Sequence, residues 1–166
     1  ALQHVANILK SSPDQVAVRV ESLIEDRRKL ERELQDARRQ LATGGGGGAA
    51  SAEDEAKDIG GIKFVGKILD GMPAKELKSL ADDLKGQIGS GVVAVMSNTD
   101  GKASLVVGVT EDLIGKFSAV DLVRAGSEAL GGKGGGGRPD MAQAGGPDGS
   151  KGAEALAAIE AALAED

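Results

Sequence analysis

Between Val16 and Leu41 the apolar positions alternate in steps of four and three: Val16, Val20, Leu23, Leu30, Leu34, Ala37 and Leu41, with Arg27 standing in the same series. This is a heptad seam with one polar intruder. Upstream, Leu2, Val5 and Leu9 share one face of a shorter periodic segment. Ser12-Pro13-Asp14-Gln15 then reads as a helix start, with Ser12 as cap, Pro13 at the first helical position and Gln15 completing a capping box. The pattern predicts a helical hairpin, or coiled-coil-like subdomain, over residues 1–43, with a long second arm. Glu25–Lys29, Lys29–Glu33 and Arg32–Asp36 stand four apart, and each pair supports that arm by about 0.3 kcal/mol.

The periodicity stops at Thr43. Five glycines follow, then Ala49-Ala50-Ser51-Ala52 and an acidic run, so residues 44–57 read as a flexible linker. From 58 to 166 the pattern changes repeatedly. Ile62–Leu69 is rich in β formers. Pro73 opens a helix striped by Leu77, Leu80, Ala81, Leu84 and Ile88, which Gly89 and Gly91 end. Val92–Ser97 is a continuous apolar run, as expected of a strand covered on both faces. Asp100-Gly101 marks a hairpin turn, and Ala103–Val109 is the returning strand. Ser118 and Asp121 form a second capping-box pattern, opening a helix through Leu122, Val123 and Leu130. Met141–Ala144 reads as a last strand and Lys151–Ala164 as a last helix. The expected fold is an α/β globular domain of about four strands in a mixed sheet with three helices, preceded by the helical hairpin.

Charge and composition narrow the function. The net charge is −6 over 166 residues, with no Cys, Trp or Tyr, one His and two Phe. An acidic chain can meet nucleic acid only through a local basic patch. With so few aromatic residues, base stacking on side chains is almost unavailable. Disulfides and cysteine metal sites are excluded, and His4 alone does not make a zinc site. No apolar run has the length of a membrane span and no signal peptide is visible, so the expectation is cytoplasmic. The chain begins with Ala, which is the expectation for part of a longer protein.

Catalytic constellations are missing. Neither a Ser-His-Asp nor a Cys-His set can be assembled. Asp82-Asp83 are neighbours on an exposed helix face and do not converge. The conspicuous feature is Gly131-Gly132-Lys133-Gly134-Gly135-Gly136-Gly137-Arg138-Pro139-Asp140-Met141-Ala142-Gln143-Ala144-Gly145-Gly146, the stretch 131–146. Bare backbone N–H groups at Gly134–Gly137 can line an anion-binding concavity, with Lys133 and Arg138 as flanking cations. It is not a P-loop, since Lys133 precedes the glycines and no hydroxyl follows.

That stretch, GGKGGGGRPDMAQAGG, resembles the glycine-rich signature of the C-terminal domain of bacterial alanyl-tRNA synthetases, departing from the usual GGKGGG-RPDMAQ-GG by one additional glycine. A shorter relative of the signature closes the accessory domain of DHH-superfamily phosphoesterases. The likeness extends, less sharply, from about Ile59 to the end. It implies a non-catalytic module that binds the outer corner, or elbow, of alanine-accepting tRNA, in partnership with the remaining domains of the synthetase. ATP, magnesium and zinc would belong to those catalytic and editing domains, since their motifs are not in this chain. The resemblance also implies self-association through the helical subdomain or the glycine motif, for which Val16, Val20, Leu23, Arg27, Leu30 and Leu34 are the seam positions.

The expected RNA contacts are Lys133, Gly134, Gly135, Gly136, Gly137 and Arg138, followed by Lys102 at the hairpin tip and Lys63 and Lys67 on one face of the first strand. Arg27-Arg28-Lys29 and Arg38-Arg39 form either an RNA-touching stripe or the solvated face of a coiled coil. Two other classes stand beside the tRNA module: a substrate-phosphate-binding accessory domain of a DHH-type phosphoesterase, and a purely structural dimerisation module.

Overall fold

The structure, a computed structural model, describes residues 3, 6, 9–42 and 55–165, and for 38–42 it describes the backbone. The expectations placed on Leu2, His4 and Val5, on the side chains of Arg38, Arg39 and Leu41, and on the glycine run at 43–54 lie outside the described residues. The chain divides into two compact units, Ala1–Arg38 and Arg39–Asp166.

Helix α1 spans Val16–Ala42, most of it in the first unit, and is entered through a single 3-10 turn at Pro13–Gln15. Ser12 holds that turn through its carbonyl, which accepts the Gln15 N–H at 2.9 Å. Its side chain makes no capping bond, so the expected capping box is replaced by a backbone turn. Arg27–Glu31 and Lys29–Glu33 pair along the exposed surface at 3.3 and 3.9 Å. Val16 is buried, whereas Val20, Leu23, Leu30 and Leu34 are exposed, as are Val18 and Ile24.

The second unit is a mixed sheet with helices on both faces. Strands β1 (Lys57–Ile59), β2 (Ile62–Asp70), β3 (Val92–Thr99), β4 (Lys102–Val109), β5 (Gly135–Arg138) and β6 (Met141–Gly146) lie in the order β1-β2-β3-β4-β6-β5. Only β2 and β3 run parallel, and helix α2 (Ala74–Ile88) makes their crossover. Asp100 and Gly101 both take positive φ, 52° and 78°, which is the backbone of a tight turn between β3 and β4. Helix α3 (Ala119–Ala129) carries the chain from β4 to β5, and α4 (Gly152–Ala164) follows β6. Ser118 stands before α3 as expected, but its side chain makes no capping bond.

Alternation along the central strands divides the core into two layers. Val65, Val93, Val95, Val106 and Met141 pack with Leu77, Leu80, Ala81, Leu84 and Ile88 of α2. Phe64, Ala94, Met96, Leu105, Val107 and Ala142 pack with Leu122 and Val123 of α3 and Ala155, Ile159 and Leu163 of α4. Each large apolar side chain so enclosed contributes about 1.5–3 kcal/mol relative to exposure. The uninterrupted Val92–Met96 run follows from this double cover.

The α/β class, the mixed sheet and the order of helices agree with the sequence reading; the strand count does not. Six strands replace four. β1 has three residues, at a sheet edge, within a charged stretch that shows no alternation. It also takes Lys57, the last residue of the stretch read as linker. β5 consists of three glycines and Arg138, so it has almost no side chains with which to display a period. The signature stretch is therefore not an open loop but a β-hairpin at the sheet edge.

Candidate nucleic-acid interface

The glycine-rich hairpin is held from below by α3. Ser127, fully buried, lies with its hydroxyl 3.3 Å from the carbonyls of both Gly134 and Gly145, tying the helix to the facing strand ends. The Gly132 N–H donates to the Ser127 carbonyl at 2.9 Å. Gly134 itself sits at φ 112°, a conformation that L side chains avoid. From there β5 pairs with β6 in the register Gly135↔Ala144, Gly136↔Gln143, Gly137↔Ala142 and Arg138↔Met141.

The glycines of β5 answer to different demands. A Cβ on Gly135 would come within 2.6 Å of the Gln143 carbonyl and 2.9 Å of Val123 Cγ1. One on Gly137 would press on Ala142 Cα at 2.6 Å. Gly136 has open space around its Cβ position and a φ outside the positive region, so the fold itself does not require glycine there. β5 is the last strand of the sheet, and an antiparallel edge strand turns alternate N–H and C=O groups away from its partner. The pairing with β6 thus engages part of the backbone that the sequence offered as an anion cradle and leaves the rest outward.

The flanking cations stand at opposite ends of the strand. Lys133 precedes β5 and is exposed, with no ion-pair partner among the described residues. Arg138 ends β5, and its guanidinium clasps Asp140, with Nε–Oδ1 at 3.2 Å and Nη2–Oδ2 at 3.3 Å. Lys133 lies two residues before β5, and the strand from Gly135 to Arg138 alone spans about 10 Å, so the two cations flank it rather than sit side by side. Lys102 begins β4, and Ala103 beside it pairs with Gly146, which places Lys102 at the Lys133 end of the sheet. Lys63 and Lys67 lie on β2, four strand spacings from β5, or about 19 Å, and are not brought to the hairpin. Lys67 pairs with Glu55 at 2.7 Å.

Other polar residues stand near the hairpin that the sequence did not single out as contacts. The Lys85 stem packs on Gly108, and its ammonium lies 3.4 Å from Asp82, 3.9 Å from the Asp140 carboxylate and 3.4 Å from the Asp140 carbonyl. Gln143 and Ser104 lie beside the glycines, and neither side chain has a hydrogen-bond partner among the described residues. Polar residues embedded in strand patterns are ordinarily read as solvated positions, and only the pairing of β4, β6 and β5 brings these two together.

A three-layer α/β unit whose sheet ends in a glycine-rich edge hairpin defines a known class. Residues 61–165 match the DHHA1 domain, and the chain belongs to that family. Within it the likeness is to alanine–tRNA ligases. That of Paramagnetospirillum magneticum is 60% identical over 162 residues, covering 98% of this chain and 18% of the ligase. The crystal structure of the C-Ala domain from Aquifex aeolicus alanyl-tRNA synthetase superposes with a TM-score of 0.62 at 30% identity, over 66% of this chain and 97% of that one. The resemblance carried by GGKGGGGRPDMAQAGG is therefore borne out. RecJ from Thermus thermophilus, in complex with Mn2+, shares the fold alone, with a TM-score of 0.55 at 16% identity over 99% of this chain and 27% of that one. The chain spans 18% of the length of the ligase it matches, so it corresponds to a small part of such an enzyme. Among the described residues no helix is long and apolar enough to cross a membrane.

Proposed function

We propose that this chain is the tRNA-binding C-terminal module of an alanine–tRNA ligase, holding the elbow of alanine-accepting tRNA while aminoacylation and editing proceed in domains outside these residues. The observation that carries the reading is the 60% identity to such a ligase across nearly the whole chain, including the signature hairpin. The ATP, magnesium and zinc of the full enzyme belong to its other domains, which are this module's partners in the same cytoplasmic protein. The chain is acidic overall, so affinity comes from a few cations beside a bare backbone edge rather than from a general field. Lys133, the outward amides of Gly134–Gly137, Arg138 and Lys102 are the leading contacts; Lys63 and Lys67 are distant second-rank ones. The accessory-domain alternative is not favoured, because its support is a shared fold at 16% identity.

A second role has its own observation. Val20, Leu23, Leu30 and Leu34 leave an apolar stripe exposed along α1, and heptad seams bury such stripes by pairing with another helix. Self-association through this seam accompanies the tRNA role.

The test of the main reading is a titration of the chain with a tRNA transcript and with a duplex RNA of equal length at several salt concentrations. A tRNA preference that survives at raised salt is expected. Equal affinities would remove the tRNA-specific role.

A further inference from the structure

We propose that the RNA is received on one face of the signature hairpin, in the trough between α2 and strands β4, β6 and β5, where Lys78, Ser104 and Gln143 hold an exposed nucleotide of the folded RNA. The inference rests on the tRNA-binding reading and names the surface that would serve it.

The trough is a cavity of about 310 Å3 whose walls include Ala74, Ser104, Val106, Gly135, Gln143 and Gly145. That volume is at the lower end of the range for small-molecule sites. Val106 faces the α2 side of the sheet, and the registers Val106↔Gln143 and Gly136↔Gln143 put Gln143 and Gly136 on that same side. The floor is thus peptide backbone wherever a glycine stands, flat enough for a base or ribose to lie against. Gly136 faces the same side through its pairing with Gln143, just past the glycines that line the cavity, and it is the β5 glycine that neither packing nor φ demands. A bare position that the fold does not require is explained if something else approaches there.

The polar groups suit a nucleotide. Gln143 is exposed and its amide carries an acceptor and two donors, a match for a base edge. The Ser104 hydroxyl, half-buried on the neighbouring strand, adds a donor or acceptor. Both are unsatisfied among the described residues. Above them, Ala74 lines the trough and Lys85, eleven residues on, reaches Asp140 at the far end of the hairpin. On a helix, 74, 78 and 85 fall along one line, so Lys78 stands on the side of α2 that carries Ala74 and Lys85. Lys78 is exposed, with no ion pair among the described residues, and its flexible ammonium suits a phosphate as a point charge.

The experiment uses the full chain and a fluorescent tRNA transcript, with affinity measured at several salt concentrations and a thermal melt for each variant. Gly136→Val adds a side chain to the glycine face, with its Cβ in open space. It is expected to melt with the parent and to bind tRNA at least about tenfold more weakly. Lys78→Ala is expected to weaken binding severalfold and to lower the salt slope by about one. Gln143→Ala is expected to weaken binding severalfold with the slope unchanged, since it contacts no phosphate. If Gly136→Val also lowers the melting temperature, the two surface variants decide. Unchanged affinity in Lys78→Ala and Gln143→Ala, with Lys133→Ala weakened, would overturn the trough while leaving an RNA site on the outer strand edge. A parent chain with no preference for tRNA over duplex would remove both readings together.

Discussion

Arg138 and Asp140 clasp each other across the β5–β6 turn, the guanidinium meeting both carboxylate oxygens at 3.2 and 3.3 Å. The arginine side chain is 78% exposed, and Asp140 has a second cation in Lys85 at 3.9 Å. An exposed pair of this kind contributes no more than about 1 kcal/mol, and less in salt. Losing this pair should therefore leave the turn folded. Arg138→Ala should lower stability by less than about 1 kcal/mol. It should weaken tRNA binding by about 1–3 kcal/mol and reduce the salt slope by about one. Thermal melts and a salt titration measure both. A clear loss of stability with an unchanged slope would assign Arg138 to the turn alone.

Gly135 answers to packing, unlike its neighbour Gly136. Gly135→Val would drive a side chain against the Gln143 carbonyl and Val123. The expected cost is about 1–3 kcal/mol, the scale of overpacking a tight contact. Denaturant melts of Gly135→Val and Gly136→Val should differ by that amount, and equal stabilities would contradict the β5 register.

The heptad seam makes its own prediction. Arg27 occupies a core position of the seam but pairs along the surface with Glu31 at 3.3 Å. Arg27→Leu should strengthen pairing of α1 with another helix, because a polar seam residue sacrifices stability for register. Sedimentation at several concentrations reads this directly. Weaker association, or lower helicity in the variant, would remove the seam assignment.

Two carboxylates make stability depend on acid. The Ser90 hydroxyl, at 2.5 Å, and then that of Thr110 hold Asp112 below its ordinary value of 3.8. The Ser150 hydroxyl, its N–H and the charge of Lys151 do the same for Asp148. A carboxylate depressed in the folded state contributes stability that is fully present above 3.8 and lost as pH falls through the folded value. The stability gap between the parent and an Asp112→Ala/Asp148→Ala double variant should be constant near neutrality and shrink below pH 3.8. A gap that widens on acidification would contradict these assignments.

The sequence by itself determined whatever depends on local pattern. The four-three spacing from Val16 to Leu41 specifies a helix because each apolar residue must return to one side every turn. Val92–Met96 announces a strand covered on both faces because no polar residue interrupts it. Asp100-Gly101 announces the turn because both positions need positive φ, and GGKGGGGRPDMAQAGG carries the family. Only the tertiary structure decided the rest. β5 was illegible because glycine has no side chain with which to show a period, and it becomes a strand through pairing with β6. Gly135 and Gly136 are identical as letters, yet Val123 and the Gln143 carbonyl crowd one and leave the other bare. Lys133 and Arg138 look like one pair of brackets in sequence, but the pairing of β5 with β6 sets them at opposite ends of a strand. Ser104 and Gln143 are far apart along the chain, and they line one cavity because β4 and β6 pair there.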